Sequence, residues 1–153
     1  MVTELKVIGV NRKAYHDYHI LETVEAGLVL AGTEIKSIRA GQVSLRDAYA
    51  RHEDGEMWLH NSHIAGYKAA GYGQHDVDRP RKLLLHRKQI DALMGKLTQK
   101  SLTLVPLKLY IKRGTAKVEL ALAQGKRQYD KREAIAKRDS DREVERAMKT
   151  RAR

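Results

Sequence analysis

The sequence predicts a mainly β protein: a small closed barrel of about six strands, two to three added helices, and a basic C-terminal tail that is disordered when free. Three observations carry this. Apolar residues recur with period two along much of residues 1–123, which is the repeat of a strand with one buried face. Two dipeptides of turn type, Asp54-Gly55 and Arg113-Gly114, sit between such runs. The last 30 residues, 124–153, contain few large apolar side chains and cannot build a core of their own.

Along the chain, Tyr18, Ile20, Glu22, Val24 and Ala26 fall on one side of an extended run, and Leu28-Val29-Leu30 comes after Gly27. A first helix is expected from about Thr33 to Arg39, with Thr33 as its cap and Gly41 closing it. Leu45, Asp47, Tyr49 and Arg51 then alternate with Arg46, Ala48, Ala50 and His52 as another strand. Asp54-Gly55 tolerates the positive φ angles of a tight hairpin turn and leads into Met57-Trp58-Leu59, where Trp58 is expected in the core. Residues 66–78 are weakly patterned and read as a loop. A second helix is expected to begin near Pro80, with Leu83, Ile90, Leu93, Met94 and Leu97 as its apolar stripe and Arg81, Lys82, Arg87, Lys88 and Lys96 as its basic remainder. Val105, Leu107, Leu109 and Ile111 make one face of a strand, Lys108, Tyr110 and Lys112 the other. Pro106 marks an edge or a bulge there, and Val118, Leu120 and Leu122 return beyond Arg113-Gly114. Of small barrels that bind nucleic acid, the OB-fold is the commonest.

Composition points the same way. The chain of 153 residues carries 30 Lys+Arg against 19 Asp+Glu, a formal charge of +11. A basic chain of this size meets a polyanion more often than not, and nucleic acid is the first candidate. Residues 124–153 hold 11 Lys+Arg and 6 Asp+Glu, a net +5 in 30 residues, so charge density is highest in the tail. Its Ala, Glu, Lys and Arg content favours helix, and Val144 and Met148 share one helix face. The tail therefore reads as a segment that becomes helical on a partner. Cysteine is absent, which excludes disulfides, thiolate metal sites and cysteine nucleophiles. The start lacks a signal-peptide apolar region and no apolar run approaches a membrane span, so a cytoplasmic setting without membrane attachment is expected.

Enzyme motifs fail one by one. Gly125-Lys126 is followed by Arg127 and has no preceding glycine at the spacing of a phosphate loop. Gly71-x-Gly73 has Asp76 where a dinucleotide fingerprint needs its third glycine. There is no nucleophile elbow. His16/His19 and His60/His63 are each three apart, which in strands points the pair to opposite faces, so no metal and no cofactor is expected. The histidines are expected to make surface contacts, with partly buried packing for His63 or His86. No catalytic residue is assigned.

Six ordered blocks resemble the SsrA-binding protein (small protein B) family. They are Asn11-Arg12-Lys13-Ala14; Glu25-Ala26-Gly27-Leu28-Val29-Leu30; Gly32-Thr33-Glu34-Ile35-Lys36-Ser37-Ile38-Arg39; Arg81-Lys82-Leu83-Leu84-Leu85-His86; Leu104-Val105-Pro106-Leu107-Lys108-Leu109-Tyr110; and Gly125-Lys126-Arg127-Gln128-Tyr129-Asp130-Lys131-Arg132. The match runs in order from Asn11 to Met148.

The resemblance implies an OB-like RNA-binding barrel over residues 1–123 and a tail over 124–153 that is helical on the ribosome. It implies a non-catalytic adaptor that binds the tRNA-like domain of transfer-messenger RNA (tmRNA, or SsrA RNA). That adaptor delivers the RNA to stalled 70S ribosomes and lays its tail in the decoding centre and the empty mRNA channel. Elongation factor Tu would join through the charged tmRNA complex, and the protein would act as a monomer. Asn11, Arg12, Lys13, Glu34, Lys36, Arg39 and Lys126 would contact tmRNA. Arg127, Tyr129, Asp130, Lys131, Arg132 and Met148 would engage the decoding centre, Tyr129 by stacking on small-subunit rRNA. For Glu34 the alternative is a charge answering the helix dipole, and for each basic residue an ordinary solvated face. A different OB-fold RNA-binding factor and an RNA-processing enzyme remain the alternative functions.

Overall fold

The computed structural model describes residues 5–66, 75–99 and 102–126. Among these lie nine strands and three helices: β1 (Leu5–Val10), α1 (Arg12–Asp17), β2 (Tyr18–Leu28), α2 (Gly32–Arg39), β3 (Val43–Ser44), β4 (Tyr49–Glu53), β5 (Glu56–His60), β6 (His63–Ile64), β7 (Arg81–Leu84), α3 (Arg87–Gln99), β8 (Thr103–Lys112) and β9 (Thr115–Gly125). Six strands close into a ring in the order β8-β4-β5-β7-β2-β9, with β9 pairing back onto β8. β1 adds to β8 outside the ring, and β3 and β6 form a separate two-stranded ribbon. The predicted barrel of about six strands is therefore present.

Both predicted hairpins form. Asp54 (φ 49°) and Gly55 (φ 80°) join β4 to β5, and Arg113 (φ 52°) with Gly114 (φ 77°) joins β8 to β9. Two successive positive φ angles give the turn a twist that matches its strands. The main core fills the ring with Met57, Leu59, Leu83, Leu104, Leu109, Val118 and Leu120, and α2 and α3 contribute Ile38, Ile90 and Leu93.

A bulge between Pro106 and Lys108 divides β8. Proline cannot donate to a ladder, and the extra residue reverses the facing of the strand beyond it. Val105 and Leu107 consequently leave the main core. They form a second cluster with Ala14 of α1 and with Ala121 and Ala123 of β9. The four residues expected on one face thus serve two cores.

Five further expectations need correction. Residues 81–84 are not helix but the strand β7, between β5 and β2, and α3 begins only at Arg87. Alternation explains it: Arg81 and Leu83 point inward with no exposure, while Leu84 is exposed. Trp58 is half-buried and on the outer face, because Met57 and Leu59 on either side of it are the inward pair. Residues 45–48 turn rather than extend, with the Ala48 N–H bonded to the Leu45 carbonyl at 3.0 Å. Thr33 does not cap α2: the cap is Ala31, and the Thr33 hydroxyl bonds His75 Nδ1 at 2.8 Å. His63 and His86 are both exposed.

The helix α1 carries no apolar stripe, and its sequence did not announce it. Gly41 does close α2, at φ 77°. The Gly41 N–H reaches the Ile38 carbonyl at 2.9 Å and the Gln42 N–H reaches Ser37 at 3.0 Å, which satisfies two terminal carbonyls. At the C-terminal end β9 continues to Gly125, taking in the first two residues of the expected tail, and Gln124 is buried. The expected tail from Arg127 onward lies outside the described residues.

Candidate nucleic-acid interface

Asn11 sits directly after β1 and caps α1. Its Oδ1 accepts the Ala14 N–H at 3.1 Å, and its Nδ2 donates to the carbonyls of Leu45 and Pro106, each at 2.9 Å. Ala14 needs a partner because the first turn of a helix leaves its N–H groups unpaired. Asn11 is buried, and its side chain bonds inside the protein.

The cap sets α1 across β8, with Arg12 and Lys13 exposed on it. Lys13 Nζ lies 2.7 Å from Asp47 Oδ1, and Arg46 lines the same open groove as Arg12 and Lys13. The Asp47 carboxyl sits below its ordinary value because of the Lys13 hydrogen bond and charge. Tyr18, where α1 ends, pairs with Gly125 of β9, so the exposed Lys126 belongs to the same end of the barrel.

Glu34 lies elsewhere. It is the third residue of α2 and has no exposed surface. Its Oε1 accepts the Ala31 N–H at 2.8 Å. Arg79 lies against both carboxylate oxygens, with Nε 3.1 Å from each and Nη2 close to Oε1. Arg81 Nε donates to Oε2 at 2.6 Å. Desolvation pushes the Glu34 carboxyl up, but hydrogen bonds from Arg79, Ala31 and Arg81 outweigh it, and the group sits below its ordinary value. Arg81 is itself wholly buried; Nη1 donates to Ser62 O and Oγ, and Nη2 to the carbonyls of Asp76 and Val77.

Of the expected contacts, the structure therefore brings together Arg12, Lys13 and Lys126 at one end of the barrel. Lys36 and Arg39 are exposed on α2. Asn11 and Glu34 share no partner; both are buried, and their side chains bond inside the protein. Arg127, Tyr129, Asp130, Lys131, Arg132 and Met148 lie outside the described residues.

Sequence reasoning missed Arg46, Arg79 and Arg81. For Arg79 and Arg81 a signal existed. Pro80 forces its predecessor towards extended backbone, and residues two apart on an extended chain point the same way. Among the described residues no group of His, Asp and Glu is arranged to hold a metal ion, and no helix is long and apolar enough to cross a membrane.

The architecture is an OB-like barrel with a basic rim. The model of the family described as SmpB protein matches residues 8–150. An SsrA-binding protein of Carboxydothermus hydrogenoformans is 59% identical over 146 residues, 95% of this chain and 98% of that one. One of Shouchella clausii is 56% identical over 151 residues, 99% of this chain and 97% of the other. A solved structure described as "tmRNA-SmpB: a journey to the center of the bacterial ribosome" contains a chain 55% identical, superposing with a TM-score of 0.66 over 78% of this chain and 84% of that one. The chain belongs to the SmpB family.

Proposed function

We infer that this protein is the tmRNA-binding adaptor of trans-translation. It binds the tRNA-like domain of tmRNA and brings that RNA to stalled ribosomes. The observation that carries this is its 55% identity, with 78% of this chain covered, to a chain of the solved structure described as tmRNA-SmpB at the centre of the bacterial ribosome. It acts by binding, and the peptide chemistry belongs to the ribosome.

The physical reading supports a division of labour. Arg12, Lys13, Lys36, Arg39 and Lys126 offer exposed cations to RNA phosphates, which position an RNA without reading its sequence. Asn11 and Glu34 contribute from inside, Asn11 by fixing α1 and Glu34 by tying α2 to the segment at Arg79–Arg81. The tail would enter the decoding centre, where Arg127, Lys131 and Arg132 meet rRNA phosphates, Tyr129 stacks on a base, Asp130 accepts a hydrogen bond and Met148 gives an apolar anchor in the mRNA channel. Elongation factor Tu joins through the charged tmRNA, the protein works as a monomer, and its site of action is the cytoplasm, where ribosomes are.

Comparing the affinity of purified protein for tmRNA and for bulk tRNA tests the reading. Clear preference for tmRNA is expected. Equal binding to both points instead to a general OB-fold RNA-binding factor.

A further inference from the structure

We propose that Arg79 is an RNA phosphate-binding residue of this protein and that Glu34 is the positioning residue that aims it. The proposal rests on the tmRNA-binding reading and assigns a contact within it.

The cluster at α2 holds two guanidinium groups against one carboxylate, Arg79 and Arg81 against Glu34. Between these three side chains one positive charge is left over, and Asp78 lies near enough to Arg81 to offset part of it. Arg81 cannot present it, because its side chain has no exposure and its remaining donors end on Ser62, Asp76 and Val77. Arg79 can, since its side chain is 33% exposed while the Glu34 carboxylate beneath it is 0% exposed. The excess charge of a buried network is thus expressed at one surface group.

The geometry of that group matters as much as its charge. A guanidinium has five N–H donors in a fixed plane. Glu34 takes the Nε–H and one Nη2–H of Arg79, and the Pro80 carbonyl accepts from Nη1 at 3.3 Å. Two N–H groups remain, one on each terminal nitrogen, with no acceptor among the described residues. Two such donors fit two oxygens of one phosphate, the bidentate pairing at which arginine exceeds lysine.

The side chain is also held still. Three hydrogen bonds to a buried carboxylate fix its rotamer before any ligand arrives, so less conformational entropy is lost on binding. The neighbouring acids do not occupy it: Asp78 Oδ1 lies 3.0 Å from His63 Nδ1, and Asp76 Oδ1 accepts the Asp78 N–H at 3.1 Å. A buried glutamate can then matter to RNA binding without touching RNA.

The test measures affinity for a tmRNA tRNA-like-domain transcript across a salt series, using the full chain and four variants: Arg79→Ala, Arg79→Lys, Glu34→Gln and the Glu34→Gln/Arg79→Ala double. Circular dichroism melting confirms that each is folded at the assay temperature. Arg79→Ala should bind about tenfold more weakly, the scale of one charge-assisted bond, and its log–log salt slope should flatten by about 0.7–0.9, one phosphate's worth of counterions. Arg79→Lys should recover the slope but only part of the affinity. Glu34→Gln should weaken binding in the parent and have little further effect on Arg79→Ala, because both act through one contact.

Wild-type affinity and slope in Arg79→Ala overturn the proposal, as does a Glu34→Gln loss of equal size in both backgrounds. Should Arg79→Ala fail to fold, an Arg79→Lys variant with parental affinity is equally decisive against it. A parent chain that binds tmRNA no better than bulk tRNA contradicts the tmRNA reading, while the salt-slope comparison still judges Arg79.

Discussion

Arg81 Nε and Glu34 Oε2 lie 2.6 Å apart, and neither side chain has any exposed surface. This one contact joins α2 to β7 inside the barrel wall, across 47 residues of sequence. Two ions leave water to make it, so its net worth is small, but removing either alone strands the other.

Replacing Arg81 with Met therefore has a definite sign. The carbonyls of Ser62, Asp76 and Val77 lose their donor, and Glu34 keeps only Arg79 and the Ala31 N–H. Breaking a buried pair from one side costs about 3–5 kcal/mol. Urea unfolding of Arg81→Met should show an unfolding free energy lower by that order and a correspondingly lower midpoint.

The same pair sets an acid limit. The Glu34 carboxyl is depressed in the folded protein, burial raising it but the bonds from Arg79, Ala31 and Arg81 lowering it more. A depressed carboxyl stabilises the fold above its unfolded value, about 4.3, and that stability is lost as pH falls through the folded value. Unfolding free energy should be level near neutrality and decline below about pH 4, and Glu34→Gln should show a shallower decline. An identical acid slope in parent and variant contradicts this.

Asn11 allows a sharper comparison. Its amide donates to two carbonyls and its Oδ1 accepts the Ala14 N–H. Asn11→Ala removes a cap, about 1 kcal/mol, and leaves two buried carbonyls without their donor, about 1 kcal/mol or more each. Asn11→Asp keeps the cap but sets a carboxylate against those carbonyl oxygens. It should be at least as destabilising as Asn11→Ala at neutral pH, where a purely capping role would make it harmless. Chemical denaturation of the two variants side by side decides the point.

Much of the barrel was legible because its signals are local. The turns at Asp54-Gly55 and Arg113-Gly114 are set by residues that accept positive φ, and the alternation of Val118, Leu120 and Leu122 needs only one buried face. The elements that escaped depend on partners far away in sequence. The segment Arg81–Leu84 looks amphipathic in either period, and only pairing with β5 and β2 makes it a strand. Burial of Arg81 reverses the usual rule for arginine, because Glu34 and three carbonyls await it. The short α1 depends on the Asn11 cap and on Ala14 packing against β8 and β9. Of the candidate site, the basic residues of α1 and α2 were readable as exposed charge. The buried places of Asn11 and Glu34 were not, since polar residues are ordinarily outside unless paired.

We propose, as the centre of this account, that the barrel holds tmRNA while the tail acts at decoding. Asp130, Lys131 and Arg132 combine an acceptor and two cations beside the ring of Tyr129, groups able to grip rRNA where a codon–anticodon pair would otherwise sit. The most direct measurement takes the full chain with all three replaced by alanine and monitors tmRNA affinity and peptide tagging in parallel on stalled ribosomes. Near-parental affinity with severely reduced tagging is the predicted result. Normal tagging, or affinity and tagging falling by the same factor, would contradict it.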